Sequence, residues 1–178
     1  MARVSLVGET DRPELAGLIA TIKAERGGRL LTLYRALLNS PAIAEGWLKL
    51  FTAIRQKSKL PGRYRELAIL RVALLNGASY EYRAHVPFAQ AEGVTQVQID
   101  GLERWRESSL FGAQDRSVLA YTDAMTREIR VSDALFAEVR GFLDEREIVE
   151  LTATIAGYNP VSRVLEALNI HAEGPAPR

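Results

Sequence analysis

The chain has no cysteine among its 178 residues. Disulfides, thiolate nucleophiles and cysteine-ligated metals or clusters are therefore excluded. Long apolar runs are missing too: none approaches the roughly 18 residues that a membrane-spanning helix needs. The opening residues carry Glu9, Asp11, Arg12 and Glu14, where a secretory signal would need an apolar stretch. The expectation is a cytoplasmic protein with no membrane partner. Charge of one sign is also lacking, because 23 basic and 22 acidic residues leave a net charge of +1 without a sustained block. A nucleic-acid partner would need a basic patch, so none is expected. No segment alternates apolar and polar residues as a half-buried strand would, which points to an all-α fold.

What is present suffices for an ordinary core. Apolar residues make up 47% of the chain, and a length of 178 residues suits one domain, read here as 1–178 with its core over about 30–170 and a frayed tail at 172–178. Asp11-Arg12-Pro13-Glu14 opens a helix to about Ala24, and a second covers Leu30 to Leu38. Ser40-Pro41 has the order of an N-cap and first helical residue, leading an amphipathic helix through Trp47, Phe51 and Ile54. Residues 57–62 read as a loop. Helices over 63–75 and 79–91 follow, then a short one to Trp105, one capped by Asp115, one capped by Ser132, and a final pair over 145–158 and 161–168. Arg65-Glu66-Leu67 is echoed by Arg146-Glu147-Ile148 ahead of Gly157, either a helical-hairpin duplication or the ordinary likeness of amphipathic helices.

Chemistry concentrates between residues 66 and 85. Leu67, Leu70, Ala73 and Leu74 repeat at the spacing of a buried helical stripe, with Glu66 at its head. Asn76-Gly77 closes that helix, because glycine tolerates the left-handed conformation of a C-terminal cap, and Ser79 is placed to cap the next. Four residues separate Glu81 from His85, which puts them on one helix face.

This spacing resembles the carboxymuconolactone decarboxylase and alkylhydroperoxidase-D-like superfamily, whose peroxidase members carry Glu, eleven residues, Cys-x-x-Cys, three residues and His. Glu66 and His85 match the ends of that motif, while the cysteine positions fall on Ala78 and Glu81. The chain thus looks like a cysteine-free branch. Ser40-Pro41-Ala42-Ile43, Lys59-Leu60-Pro61 and the run from Gly157 to Leu165 are also similar to the family. The resemblance, over about 30–170, implies an alkylhydroperoxidase-D-like helical domain and a homo-oligomer, a trimer or a multiple of three. It also implies that Tyr80, between the two cysteine positions, contacts substrate or relays protons.

Glu66, Glu81 and His85 are the candidate catalytic residues, Tyr80 the candidate substrate-binding residue, and no metal or organic cofactor is required. Losing carbon dioxide from a lactone needs a proton delivered to carbon and a developing enolate stabilised, which His85 with a glutamate or Tyr80 can supply. The expected function is a lyase of lactone-decarboxylase type acting on a small acidic or lactone metabolite. A thiol peroxidase fails for want of a thiol. A non-catalytic oligomer that binds a small molecule stays open as an alternative.

Plainer readings stand beside these. Glu66 is also what a helix N-terminus favours, and Glu81 with His85 also reads as a helix-surface ion pair. Tyr80, Tyr82 and Trp47 also read as core aromatics. Arg63, Arg65 and Arg71 either grip a substrate carboxylate or form ion pairs. His171 reads as solvent-exposed.

Overall fold

Helix follows helix through residues 1–170, the part of the chain that the computed structural model describes, and no strand occurs among those residues. His171 and the 172–178 tail lie outside them. Two compact units can be distinguished, Met1–Lys57 with the chain from Val164 on, and Ser58–Arg163.

The first unit holds α1 (Ala16–Glu25), α2 (Thr32–Leu37) and α3 (Pro41–Thr52). A 3-10 turn over Pro13–Leu15 leads into α1, and a π turn over Ala53–Lys57 extends α3. Pro41 occupies the first turn of α3, as its sequence predicts, although Ser40 makes no side-chain cap. Ile22, Leu38, Ala44 and Leu48 form the unit's fully buried centre. Arg26 is buried beside them, donating to Tyr34 Oη at 2.8 Å and Thr52 Oγ1 at 3.1 Å.

The second unit is built around α4 (Gly62–Leu75) and α5 (Ser79–Ala91), followed by α6 (Gln96–Gly101), α7 (Ala113–Arg127), α8 (Asp133–Arg140) and α9, which begins at Glu145 and ends at Ala167. The expected stripe on α4 understates its burial. Every residue from Glu66 to Ala73 is buried, so this helix is enclosed on all sides. Leu67 and Leu70 pack with Ala89, Ile99, Leu102, Trp105, Phe111 and Leu119.

Gly77 turns α4 into α5 with φ +67°. The Gly77 N–H donates to Leu74 O at 3.2 Å and the Ala78 N–H to Ala73 O at 2.9 Å, closing the helix end with a left-handed glycine. Two expected caps differ. Ser79 is the first residue of α5, whose N-cap is Ala78 without a side-chain bond, and Gly112 rather than Asp115 precedes α7. Asp115 turns instead to Arg63, accepting two hydrogen bonds at 2.9 and 2.7 Å. Ser132 does cap α8, accepting from the Leu135 N–H.

The expected final pair of helices is one helix. Pro160 lies inside α9, where it denies the Ala156 carbonyl its usual N–H partner. Side chains of the same turn also contact nearby carbonyls: Asn159 Nδ2 donates to Ile155 O at 3.0 Å, and Ser162 Oγ lies 3.0 Å from Tyr158 O. The helix nevertheless runs on through the proline to Ala167. Since α9 has no turn at Gly157, the Arg146-Glu147-Ile148 echo does not lead to a second hairpin.

Candidate functional site

Glu66 opens the buried stretch of α4 and His85 lies one turn beyond Glu81 on α5, so the Gly77 turn folds the first acid back toward the histidine. His85 Nδ1 and Glu66 Oε2 are 2.8 Å apart, both side chains almost wholly withdrawn from solvent. Glu66 Oε1 accepts a second bond from Arg65 Nε at 3.1 Å, and Arg65 reaches on to Glu92 at 3.2 Å. A side chain at Gly62 would collide with the Glu92 carboxylate, so glycine there keeps that outer pair possible. Burial pushes the Glu66 carboxyl up, but the bonds and charges of His85 and Arg65 outweigh it and hold it below the usual range. Glu66 is therefore ionised at neutral pH and carries no hydrogen to give. The His85 contact must then be Nδ1–H donating, which fixes the tautomer of the neutral ring.

Glu81 meets the opposite environment. It is 2% exposed. Burial drives its carboxyl up to about 8, against a lesser lowering by the Ser162 hydroxyl, which donates to Oε2 at 2.7 Å. Its other oxygen, Oε1, is buried without a hydrogen-bond partner. One acid of the pair is thus a carboxylate and the other a neutral carboxylic acid, and that separation is what an acid–base site requires.

The sequence placed Glu81 beside His85 as a possible surface pair. Both are buried, so the exposed reading fails. The two predicted partners of the histidine are also distinguished: Glu66 makes the hydrogen bond, while Glu81 bonds Ser162 on α9. Tyr80 is half-buried at the start of α5. Aromatic rings flank the imidazole, Tyr158 edge-on at 5.0 Å between centroids and the exposed Phe88 tilted at 5.7 Å.

The three arginines near the motif hold acids of this same chain. Arg63 grips Asp115, Arg65 grips Glu66 and Glu92, and Arg71 grips the buried Asp123 at 2.6 and 3.2 Å. Asp123 also accepts from Trp105 Nε1 at 3.3 Å and Arg106 at 3.1 Å. Arg63 and Arg71 are thereby committed to structure rather than to a substrate carboxylate.

Three residues of α9 complete the site, and the sequence reading assigned them no role. Ser162 holds Glu81 and Tyr158 packs on His85. Asn159 Oδ1 accepts from Asn76 Nδ2 at 3.1 Å and from Arg163 at 2.9 Å, while its own amide donates to Thr126 at 3.1 Å. The hairpin turn is thus tied to α9 through Asn76. The available signal was the run from Gly157 to Leu165, whose likeness to the family gave its individual residues no role.

A cavity of about 530 Å³ lies in the first unit, lined by Leu18, Thr21, Glu25, Pro41, Glu45 and Lys49 among others, and it contains none of the predicted site residues. Among the described residues, no group of three or more acidic or histidine side chains is placed to hold a metal ion, and no helix is long and apolar enough to cross a membrane.

Comparison with known proteins agrees with this architecture. Residues 41–124 match the model of the carboxymuconolactone decarboxylase family, a span that contains Glu66, Glu81 and His85. The Bacillus subtilis (strain 168) protein YdfG is 28% identical over 119 residues, which cover 66% of this chain and 81% of YdfG. Among solved structures, the Agrobacterium tumefaciens protein ATU0492, described as a putative antioxidant defence protein AhpD, superposes with a TM-score of 0.71 at 26% identity, covering 78% of this chain and 96% of its own. The debrominase Bmp8 shares the fold with a TM-score of 0.78 at 18% identity, covering 96% of this chain and 92% of its own.

Proposed function

We propose that this chain, whose residues 41–124 match the model of the carboxymuconolactone decarboxylase family, is a cofactor-independent acid–base enzyme acting on a small acidic or lactone-type metabolite. The observation that carries the reading is the burial of two glutamates and a histidine on one helical hairpin, Glu66 bonded to His85 at 2.8 Å and Glu81 to Ser162 at 2.7 Å. The opposite directions in which the two carboxyls are shifted support it. Burying three ionisable side chains in a single helical hairpin is costly, and such clusters mark functional sites more often than scaffolds.

In a decarboxylation, the bond from the substrate carbon to its carboxylate breaks and carbon dioxide leaves. The electron pair stays on the substrate as an enolate, which takes a proton at carbon. Glu66 holds the ring of His85 so that Nε2 is the nitrogen that exchanges a proton, and neutral Glu81 donates a hydrogen bond to the enolate oxygen. Proton transfer of this kind contributes about a hundred- to ten-thousandfold in rate. A hydrogen-bond donor aimed at the developing charge supplies a comparable factor. Each turnover consumes one proton, which the solvent restores.

The test is carbon dioxide release from a panel of small carboxylated lactones. On any substrate that is turned over, His85→Gln is expected to lower kcat by about a hundredfold or more while leaving the melting temperature near that of the parent protein. Glu66→Gln should also shift the pH profile, because a neutral amide keeps an acceptor for Nδ1–H but removes the negative charge beside the imidazole. Full activity in both variants would sink the proposal. So would saturable, thiol-dependent turnover of hydrogen peroxide, which no residue of a cysteine-free chain can support by disulfide chemistry.

A further inference from the structure

Ser162 is 1% exposed and belongs to α9, 81 residues beyond the glutamate it touches. Its hydroxyl has one hydrogen and two neighbouring acceptors, Glu81 Oε2 at 2.7 Å and Tyr158 O at 3.0 Å. The shorter contact is to the carboxyl. A carboxylic acid that accepts at one oxygen carries its hydrogen on the other, and here that other oxygen is the buried, unpartnered Oε1.

We propose that Ser162 is a positioning residue which, by donating to Glu81 Oε2, fixes the orientation of that carboxyl and leaves the hydrogen on Oε1, presented to an oxygen atom of the substrate. The inference rests on the acid–base reading of the site and adds what that reading leaves open: which atom of Glu81 faces the substrate, and what the substrate must offer. An unpaired buried donor is costly until it finds an acceptor. The ligand that fits is therefore one whose carbonyl, lactone or enolate oxygen accepts from Oε1, and an ammonium or amide N–H placed there would meet a donor.

Several charged and titratable groups of the packed elements have partners elsewhere. On α4, Arg63 pairs with Asp115, Arg65 with Glu66 and Glu92, Glu66 with His85, and Arg71 with Asp123. On α5 itself, His85 bonds Glu66, Tyr82 Oη donates to Ile99 O, and Arg83 is exposed. On α9, Arg163 is bound to Asn159 and the Tyr158 ring stands edge-on to His85. Burial and the Ser162 hydroxyl are left as the influences on Glu81.

The experiment needs no substrate. Infrared difference spectroscopy of the full chain, titrated from mildly acidic to alkaline pH, follows the carbonyl stretch of a protonated carboxylic acid. The parent protein should show such a band at neutral pH, and Glu81→Gln should remove it. In Ser162→Ala the band should move to higher frequency, as expected of a carbonyl oxygen that has lost its donor, and the midpoint of its disappearance should rise by about one pH unit. Ser162→Thr, which keeps the hydroxyl, should restore both. Ser162→Cys, a weak donor of similar size, should give the alanine result and serves if the alanine variant does not fold. An unchanged band and midpoint in Ser162→Ala or Ser162→Cys overturns the role of Ser162, even if Glu81 remains essential in the decarboxylation assay. Absence of any Glu81 band at neutral pH overturns it as well. Failure of the acid–base reading is distinguishable, since it appears as unaltered turnover in His85→Gln whatever the spectra show.

Discussion

Glu81 sits where peroxidase members of the family that this chain resembles would carry a cysteine, and its burial has a thermodynamic consequence apart from the proposed catalysis. Its carboxyl ionises near 8 in the folded chain and near 4.5 in an unfolded one. Between those values the folded state holds a proton that the unfolded state has released, so rising pH draws the equilibrium toward unfolding. Glu81→Gln removes the titration while keeping the shape. This variant should melt close to the parent protein below about pH 5 and increasingly above it as the pH rises toward 8, then hold that advantage at higher pH. Thermal melts across the range check this, and a constant offset would show that Glu81 does not titrate with folding. A gain in stability at the expense of activity is the usual mark of a group kept for function. Arg71 and Asp123 show the other kind of buried charge, paired within the chain so that removing either partner would strand the other.

At the scale of the element, Glu150 on α9 anchors the loop that leads into α4. Its Oε2 accepts from Ser58 Oγ and from the Lys59 and Leu60 N–H groups at 2.6 to 2.9 Å, while Oε1 pairs with Arg146. Partial burial raises its carboxyl, but these donors outweigh it and lower it to about 2. A carboxyl lowered in the folded state contributes stability that is complete above its ordinary value near 4.5 and is lost as the pH falls toward 2. Protection of the amides of residues 59 and 60, measured against their intrinsic exchange rates, should therefore fall in that acid window. Glu150→Gln should show the lower protection already at neutral pH and cost about 1–3 kcal/mol, because the amide has one acceptor atom for several donors. Exchange rates indifferent to the substitution would place the anchor elsewhere.

For the whole molecule, assembly is the open prediction. Leu67 and Leu70 of the motif helix are covered by neighbours in the same chain and are not available to drive it. Other large apolar side chains face solvent, including Phe88, Val97, Ile129 and Val149 in the second unit. We propose a homo-oligomer that covers part of this surface, a trimer or a multiple of three as the family resemblance implies. Light scattering coupled to size exclusion should return a mass of three chains or a multiple, and a monomer at micromolar concentration would contradict it.

The sequence alone determined the helical class, because apolar residues recurring every three or four positions suit a helix and a strand needs alternation. It also determined the hairpin over 62–91, since Asn76-Gly77 is a local stop that needs no distant partner. Glu66, Glu81 and His85 were legible as candidates because their local spacing resembles a family motif, while spacing alone also suited a helix terminus and a surface ion pair. Which acid is charged was not legible. That depends on Arg65 and His85 closing on one carboxylate while Ser162, from a helix far along the chain, closes on the other. Continuity of α9 through Pro160 was equally hidden, because proline's local preference argues for a break and the helix runs on regardless. Periodicity records which face of a helix is apolar. Only the tertiary structure brings residues 81 and 162 together, and a buried carboxyl's charge follows from that neighbour and from the water it excludes.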